Sequence, residues 1–374
     1  MNELESIQGS DENLSSYARM ILKTFESPVA SGAKMDAMLY MTVGSERIQL
    51  VHKVTKRYRT LLDMGRENRT PRVVMDAVLG HFGTGKSHMG FLLKHDGLTC
   101  GQEELLVSHH QISGDSHFSS IIAGWLRNLR LAGVPSIVDN GVDLSAYMKL
   151  VKWCGNDSNL RNVIIGNSGK LEPALVQDLH IALRMLGQRT PISSGIFQFI
   201  ENWVVKSPPE QAREVFKTIL SIFCFLKCER LLLFLDEFEQ LRIHPQPEQL
   251  QALLNIQGLH DEIFINGQVF PSIYLLILST PDWWQTVSEI CPSFTQRLAR
   301  VNSLPQIEQI DVTALLYRYL SLYQLAYDNM KFIRTQDFNR IAEDAWHEVA
   351  PVAGQIRIIH KVCRQKIEDA LGIA

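Results

Sequence analysis

The segment that most limits what this chain can fold into is Gly80-His81-Phe82-Gly83-Thr84-Gly85-Lys86-Ser87, which satisfies G-x-x-x-x-G-K-[ST] at each fixed position. Glycine reaches backbone torsions closed to other residues, so such a loop can wrap tightly with its N–H groups pointing inward. An anion with several oxygens suits a ring of donors like this. RVVMDAVLG ahead of the loop reads as a buried strand, Val73 to Leu79, and SHMGFLLKH after it as a helix. The positive end of that helix would face the same anion. Strand, glycine loop and helix together make a phosphate-binding P-loop, in which Lys86 reaches the β- and γ-phosphates and the Ser87 hydroxyl ligates Mg²⁺. The expected ligands are therefore ATP and Mg²⁺. His81 and His88 flank the motif, either adding positive charge near the phosphates or simply filling the loop.

A partner for this loop stands further on. Leu231-Leu232-Leu233-Phe234-Leu235 is a continuous apolar run of the kind buried on both faces of a parallel sheet, and it ends in Asp236-Glu237. Ligands of open α/β sheets bind beyond the C-terminal ends of the strands. Asp236 is thus placed to hold Mg²⁺, directly or through water, and Glu237 to orient or deprotonate an attacking water. The plain alternative is a solvated strand end carrying two surface acids. Glu239 reads as a charge at a helix N-terminus.

Strands alternate with helices from about Thr70 to Thr280, which predicts an α/β fold with a parallel sheet flanked by helices. ELLVSHHQIS is the second strand and SIYLLILSTPDWW a later one. Between them HFSSIIAGWLRNLRLAG is a helix with Phe118, Ile121, Ile122, Trp125, Leu126 and Leu129 on one face. Upstream, ERIQLVHKVTKRYRTLLDMG repeats apolar residues at helical spacing. From about Gln306 no strand pattern remains, and helices are expected near Val312–Ala326, Thr335–Val349 and Ala353–Leu371. The expected division is a lead-in over 1–44 with a helix near Leu14–Phe25, an α/β core over 45–305 with an insertion at 135–209, and an all-helical lid over 306–374. Charged residues make up 21% and the net charge is -3, which argues against a surface that coats nucleic acid indiscriminately. The longest apolar run is broken by Lys227, Glu229 and Arg230, so no membrane span is expected. The start is acidic and polar where a secretion leader would be basic and then apolar. Six scattered cysteines read as buried thiols, and a reducing cytoplasm is the expected location.

With the loop, the Asp-Glu strand end, a strand closing on Ser279-Thr280 and helices at the end, the chain resembles the AAA+ ATPases over roughly Ser45 to Ala374. The resemblance implies that Ser279 or Thr280 acts as sensor 1 and positions the lytic water, where the family more often has Asn. It implies that Arg297, in SFTQRL, is an arginine finger reaching into a neighbouring subunit, with Arg300 as the alternate. It also implies that Arg357, in GQIR, is the sensor 2 arginine of the lid. Gln111 or Ser113 would be the polar switch after the second strand. Trp283-Trp284 would pack under the lid.

The wording VGSERIQLVHKV, VLGHFGTGKSH, LSTPDWW and SFTQRLARV is similar to the ATP-binding proteins of BREX-type anti-phage systems, themselves similar to origin-recognition-type and STAND ATPases. No winged-helix DNA-binding domain is expected beyond the lid. The implied activity is ATP hydrolysis by an oligomer acting as a DNA-associated motor or switch in defence or genome maintenance. Its partners would be copies of itself, other proteins of the same system and double-stranded DNA. The basic clusters Lys53–Arg59 and Arg66–Arg72 support that reading, and a solvated helix face explains them equally well. The alternatives are a protein-remodelling ATPase or nucleotide-dependent scaffold and, less favoured by the tandem acids, a small-molecule kinase.

Overall fold

The structure is a computed structural model that describes residues 11–24, 41–67, 73–99, 104–114, 117–136, 138–139, 142–147, 149, 158, 162, 177, 204–262, 271–327, 333–352 and 355–373. Most of the expected insertion and Gly354 lie outside the described residues, as does the basic cluster beyond 67. The chain forms two compact units. A sheet unit holds Val54–Gly80 and Leu93–Ser303, and a helical unit holds Met1–Lys53, His81–Leu92 and Leu304–Ala374.

Among the described residues the sheet unit is built on six strands. They are β1 (Val73–Leu79), β2 (Leu105–Gln111), β3 (Arg130–Leu131), β6 (Arg230–Asp236), β7 (Ser272–Ser279) and β8 (Leu298–Ser303), in the spatial order β3-β2-β6-β7-β1-β8. The short β4 (Val138–Asp139) and β5 (Val142–Asp143) form a separate antiparallel pair. All main-sheet pairings are parallel except that of β3 with β2. The strands expected from apolar runs are the central ones, buried along their whole length in β6 and β7. β8 was not anticipated, and its side chains are exposed or half-buried. An edge strand covered so little carries no apolar signature to read.

Helix α4 (Phe118–Arg127) packs on this sheet through its apolar face, and the Trp125 indole N–H donates to the Phe234 carbonyl at 3.0 Å. A Cβ on Gly124 would collide with the His110 ring. Burial and the neighbouring His109 push His110 down to about 4, so it packs as a neutral ring. Helices α5 (Pro209–Phe225) and α6 (Gln246–Glu262) add to the same core, as do α7 (Pro281–Ile290) and α8 (Pro292–Gln296). Trp283 and Trp284 of α7 belong to this core, with Trp284 6.4 Å from Phe294 and Phe294 stacked on Phe238. The pair follows β7 with no intervening loop, which commits it to the sheet's own core.

One polar network is buried inside the sheet unit. Asp76 on β1 is fully buried. It accepts two hydrogen bonds from Arg57 at 2.6 and 3.1 Å and one from the Tyr274 hydroxyl at 2.7 Å. Arg57 and Arg59 lie on α2 (Ser45–Glu67), and Arg59 pairs with Asp96 at 2.7 Å. Both arginines of the Lys53–Arg59 cluster are therefore engaged by acids of their own unit.

In the helical unit, α1 (Asp11–Thr24) buries Ala18, Ile21 and Leu22 among α9 (Gln309–Ala326), α10 (Thr335–Val349) and α11 (Ile356–Leu371). The Arg19 Nε–H donates to the Ala326 carbonyl at 2.7 Å and thereby caps the end of α9. The helix expected near Leu14–Phe25 is thus part of the C-terminal helical core. Among the described helices none is long and apolar enough to cross a membrane.

Removing Asp76 would strand a guanidinium and a hydroxyl in the interior. Asp76→Ala should lower the unfolding free energy by about 3 kcal/mol in urea titration, and a loss below about 1 kcal/mol would mean the network is dispensable.

Candidate functional site

In the sheet unit the register aligns three strand ends. Leu79 of β1 pairs with Ser279 of β7, and Ile277 of β7 pairs with Leu235 of β6, so Gly80, Ser279-Thr280 and Asp236-Glu237 come out side by side. The Gly80 N–H donates to the Ser279 carbonyl at 3.0 Å, which ties the start of the glycine loop to the end of β7. Ser279 and Thr280 are both buried, with Thr280 at the N-cap of α7 and making no side-chain cap bond.

Asp236 is 1% exposed. Its Oδ1 accepts the Glu237 N–H at 2.9 Å, and the buried His109 Nε2 lies 3.6 Å from its Oδ2. Glu237 is in the left-handed region, at φ 54° and ψ 41°. For a residue with a Cβ this conformation costs about 1–2 kcal/mol. Such strain clusters where the surrounding structure holds a side chain for a purpose. It turns the chain sharply out of β6 into the 3-10 helix Phe238–Ile243. Glu239 sits in the first turn of that helix, as expected of a helix N-terminal acid, but is buried.

The glycine loop from His81 onward belongs to the helical unit. Gly83 and Gly85 have φ of 77° and 91°, which a residue with a Cβ rarely adopts. Helix α3 (Lys86–Thr99) starts at the motif lysine. Lys86 is buried, its ammonium donating to the His81 carbonyl at 3.3 Å and standing 5.4 Å over the Phe82 ring. Thr84 is buried and its hydroxyl donates to the His81 carbonyl at 2.7 Å. Ser87 and His88 are half-buried, and His88 Nε2 lies 3.0 Å from the Thr42 hydroxyl. Phe82 is largely exposed at the crest of the loop.

Two groups hold the loop from the outside. The Ile356 N–H, at the start of α11, donates to the Gly83 carbonyl at 2.8 Å, and a Cβ on Gly83 would press on Gln355 at 3.4 Å. Arg357 is the next residue after Ile356 and is exposed. Arg47 is the second group, and the sequence reading missed it as a site residue. Its guanidinium is buried, donates to the Thr84 carbonyl, and also donates to the Pro305 carbonyl at 3.0 and 2.7 Å. Burial pushes it down to about 10, against the pull of the Asp311 carboxylate. The available signal was periodicity: Arg47 stands four residues before Val51 and seven before Val54, on the apolar stripe of α2.

Arg297, the expected arginine finger, is exposed at the end of α8 and forms a two-pronged pair with Asp261 at 2.7 and 3.3 Å. Burial alone would push Asp261 up. Hydrogen bonds from Arg297, Gln257 and His260, with the charge of Arg297, outweigh it and hold the carboxyl well below its ordinary range. Arg300 is exposed on β8, and Gln111 at the end of β2 and Ser113 after it are exposed.

In the helical unit two positive-φ glycines and a helix start make a donor set that suits a phosphate chain. In the sheet unit the buried Asp236 carboxylate at a strand end is an oxygen donor of the kind Mg²⁺ takes. No family model matches the sequence, and no curated protein matches it. Among solved structures the chain is similar to the Aeropyrum pernix ORC2 protein in ADPNP-ADP complexes, at 14% identity and a TM-score of 0.44 over 87% of this chain and 68% of that one. It is also similar to C. elegans PCH-2, at 13% identity and a TM-score of 0.39 over 90% and 73%. Likenesses this distant carry no part of the assignment, which rests on the residues themselves.

The backbone at Glu237 yields a direct test. Glycine relieves a left-handed torsion and alanine does not, so Glu237→Gly should be more stable than Glu237→Ala by about 1 kcal/mol in urea unfolding. Equal stability of the two variants would mean the torsion stores no strain.

Proposed function

We propose that this chain binds ATP with Mg²⁺ and hydrolyses it, as the AAA+ ATPases it resembles do. The observation that carries the reading is Glu237, an acid held in a costly left-handed conformation immediately after the buried Asp236, at a strand end level with Ser279-Thr280 and Gly80. A protein that only bound nucleotide would have no use for a second, strained acid there.

In this reading the amides of Gly83 to Ser87 and the Lys86 ammonium hold the β- and γ-phosphates. Ser87 and Asp236 would hold Mg²⁺, which when bound would neutralise charge on the phosphate oxygens. Glu237 accepts a proton from the attacking water or orients it, and Ser279 or Thr280 fixes that water by hydrogen bonding. Arg47 is a positioning residue, since its bond to the Thr84 carbonyl holds the loop's curvature. Arg357 would add positive charge at the γ-phosphate from a helix start joined to the loop through Ile356 and Gly83. Arg297 would serve a neighbouring subunit only on leaving Asp261, and its exposure leaves that route open.

For the wider role, the resemblance to BREX-type and origin-recognition-type proteins supports an oligomeric, DNA-associated switch in defence or genome maintenance. One observation favours the alternative of a nucleotide-dependent scaffold for protein partners: Arg57 and Arg59 are paired with Asp76 and Asp96, which weakens the described basic cluster as a DNA contact.

Two variants separate binding from chemistry. Lys86→Ala should lose affinity for a fluorescent ATP analogue. Glu237→Gln should keep that affinity while steady-state turnover falls about 100-fold. Wild-type turnover by Glu237→Gln would remove the general base from the proposal.

A further inference from the structure

A second cluster in the sheet unit has no part in the nucleotide chemistry. His117 stands at the N-cap of α4, His244 closes the 3-10 helix after β6, and Glu248 lies in the first turn of α6. Their ligand-capable atoms all lie within 4.8 Å of one another. The Glu248 Oε2 is 3.4 Å from His244 Nδ1 and 3.6 Å from His117 Nδ1, and the two rings are 4.9 Å apart.

These distances are informative. A histidine hydrogen-bonded to a carboxylate stands about 2.7–2.9 Å from it, and here both nitrogens stand well beyond that. Zinc binds nitrogen at about 2.0–2.1 Å and carboxylate oxygen at about 2.0–2.2 Å, so neighbouring ligands of a tetrahedral ion sit about 3.4 Å apart. His244 adds a second reason. Its side chain is 11% exposed, yet its buried Nε2 has no hydrogen-bond partner and its Nδ1 has only the long approach to Glu248. Nδ1 is the ring nitrogen that faces Glu248, and an ion there would replace the long approach with a bond, leaving Nε2 as the outer N–H of the ring.

Two of the three ligands stand on a backbone that is rigid in advance. Pro245 and Pro247 fix the backbone between His244 and Glu248. The Gln249 amide donates to the carbonyls of His244 at 2.6 Å and Arg242 at 3.2 Å. His117 is the adjustable ligand, with its side chain 64% exposed.

We propose that His117, His244 and Glu248 bind a divalent transition-metal ion of the zinc class. Two imidazoles and one carboxylate favour zinc over Mg²⁺ or Ca²⁺, which take oxygen ligands, so this site is chemically distinct from the one proposed for Mg²⁺. Three protein ligands leave a fourth position for water. The ion would clip the segment following β2 to the segment following β6, and these adjacent strands carry His109 and Asp236.

The test uses the full chain without nucleotide, in excess Mg²⁺ so that oxygen sites are filled. Co²⁺ is titrated in and read by its visible d–d absorption. One equivalent should give the intense bands of tetrahedral cobalt, and Zn²⁺ should erase them. His117→Ala and Glu248→Gln change exposed side chains and should keep the metal-free melting temperature of the wild type. Each should weaken cobalt binding about 10-fold or more, the loss seen even for outer-shell partners of metal ligands. Absence of tetrahedral bands in the wild type, or bands undiminished in both variants, would overturn the site.

Discussion

Parallel pairing of β7 with β1 on one side and with β6 on the other decides where three strand ends fall. Ser279 is level with Leu79, and Leu235 with Ile277, so polar residues that follow three buried apolar strands emerge at one edge of the sheet. The edge is held by backbone bonds, including that of Gly80 to Ser279, and by Asp76, which anchors β1 to β7 through Tyr274 and to α2 through Arg57. A one-residue slip of β1 would carry Asp76 away from Arg57 and Tyr274, so the buried polar network specifies that register. The position of the acids thus follows from core packing, and the course of the chain beyond them from the sharp turn at Glu237.

Much of this was legible in the sequence because the central strands of a parallel sheet are apolar throughout and end abruptly. Val73–Leu79, Leu231–Leu235 and the run to Ser279 could hardly be read otherwise, and the glycine loop stood out between strand and helix. β8 was not legible, since its side chains are largely solvent-facing and its order comes from pairing with β1. The tryptophan pair announced burial without naming the core that buries it, which is the sheet unit's own. α1 was legible as a helix, yet its packing on α9 depends on contacts more than 300 residues away in sequence, such as Arg19 to the Ala326 carbonyl.

Side chains that act through another residue were the hardest to foresee. Arg47 was passed over in the sequence, and its burial against the Thr84 carbonyl appears only with the fold. His109 and His110 are identical neighbours near the end of β2. Alternation along β2 sends one toward Asp236 and the other into the cleft that Gly124 leaves open. Arg297 was noticed for a role between subunits, and the structure supplies it with an acid of its own chain. A charge available to a neighbour and a charge already paired read identically in sequence. The cluster of His117, His244 and Glu248 was invisible for a related reason, since two of its members are joined by a short proline-bounded spacing while the third comes from a different strand–helix junction.

The central claim is that the glycine loop and the strained acid serve one phosphoryl-transfer reaction. A crystal structure of the full chain with Mg²⁺ and a non-hydrolysable ATP analogue tests it most directly. The account predicts the Lys86 ammonium on the β- and γ-phosphate oxygens, Ser87 and Asp236 around the metal, and a water bound to the Glu237 carboxylate in line with the γ-phosphate. Nucleotide bound away from the loop, or a γ-phosphate with no water within reach of Glu237, would contradict it.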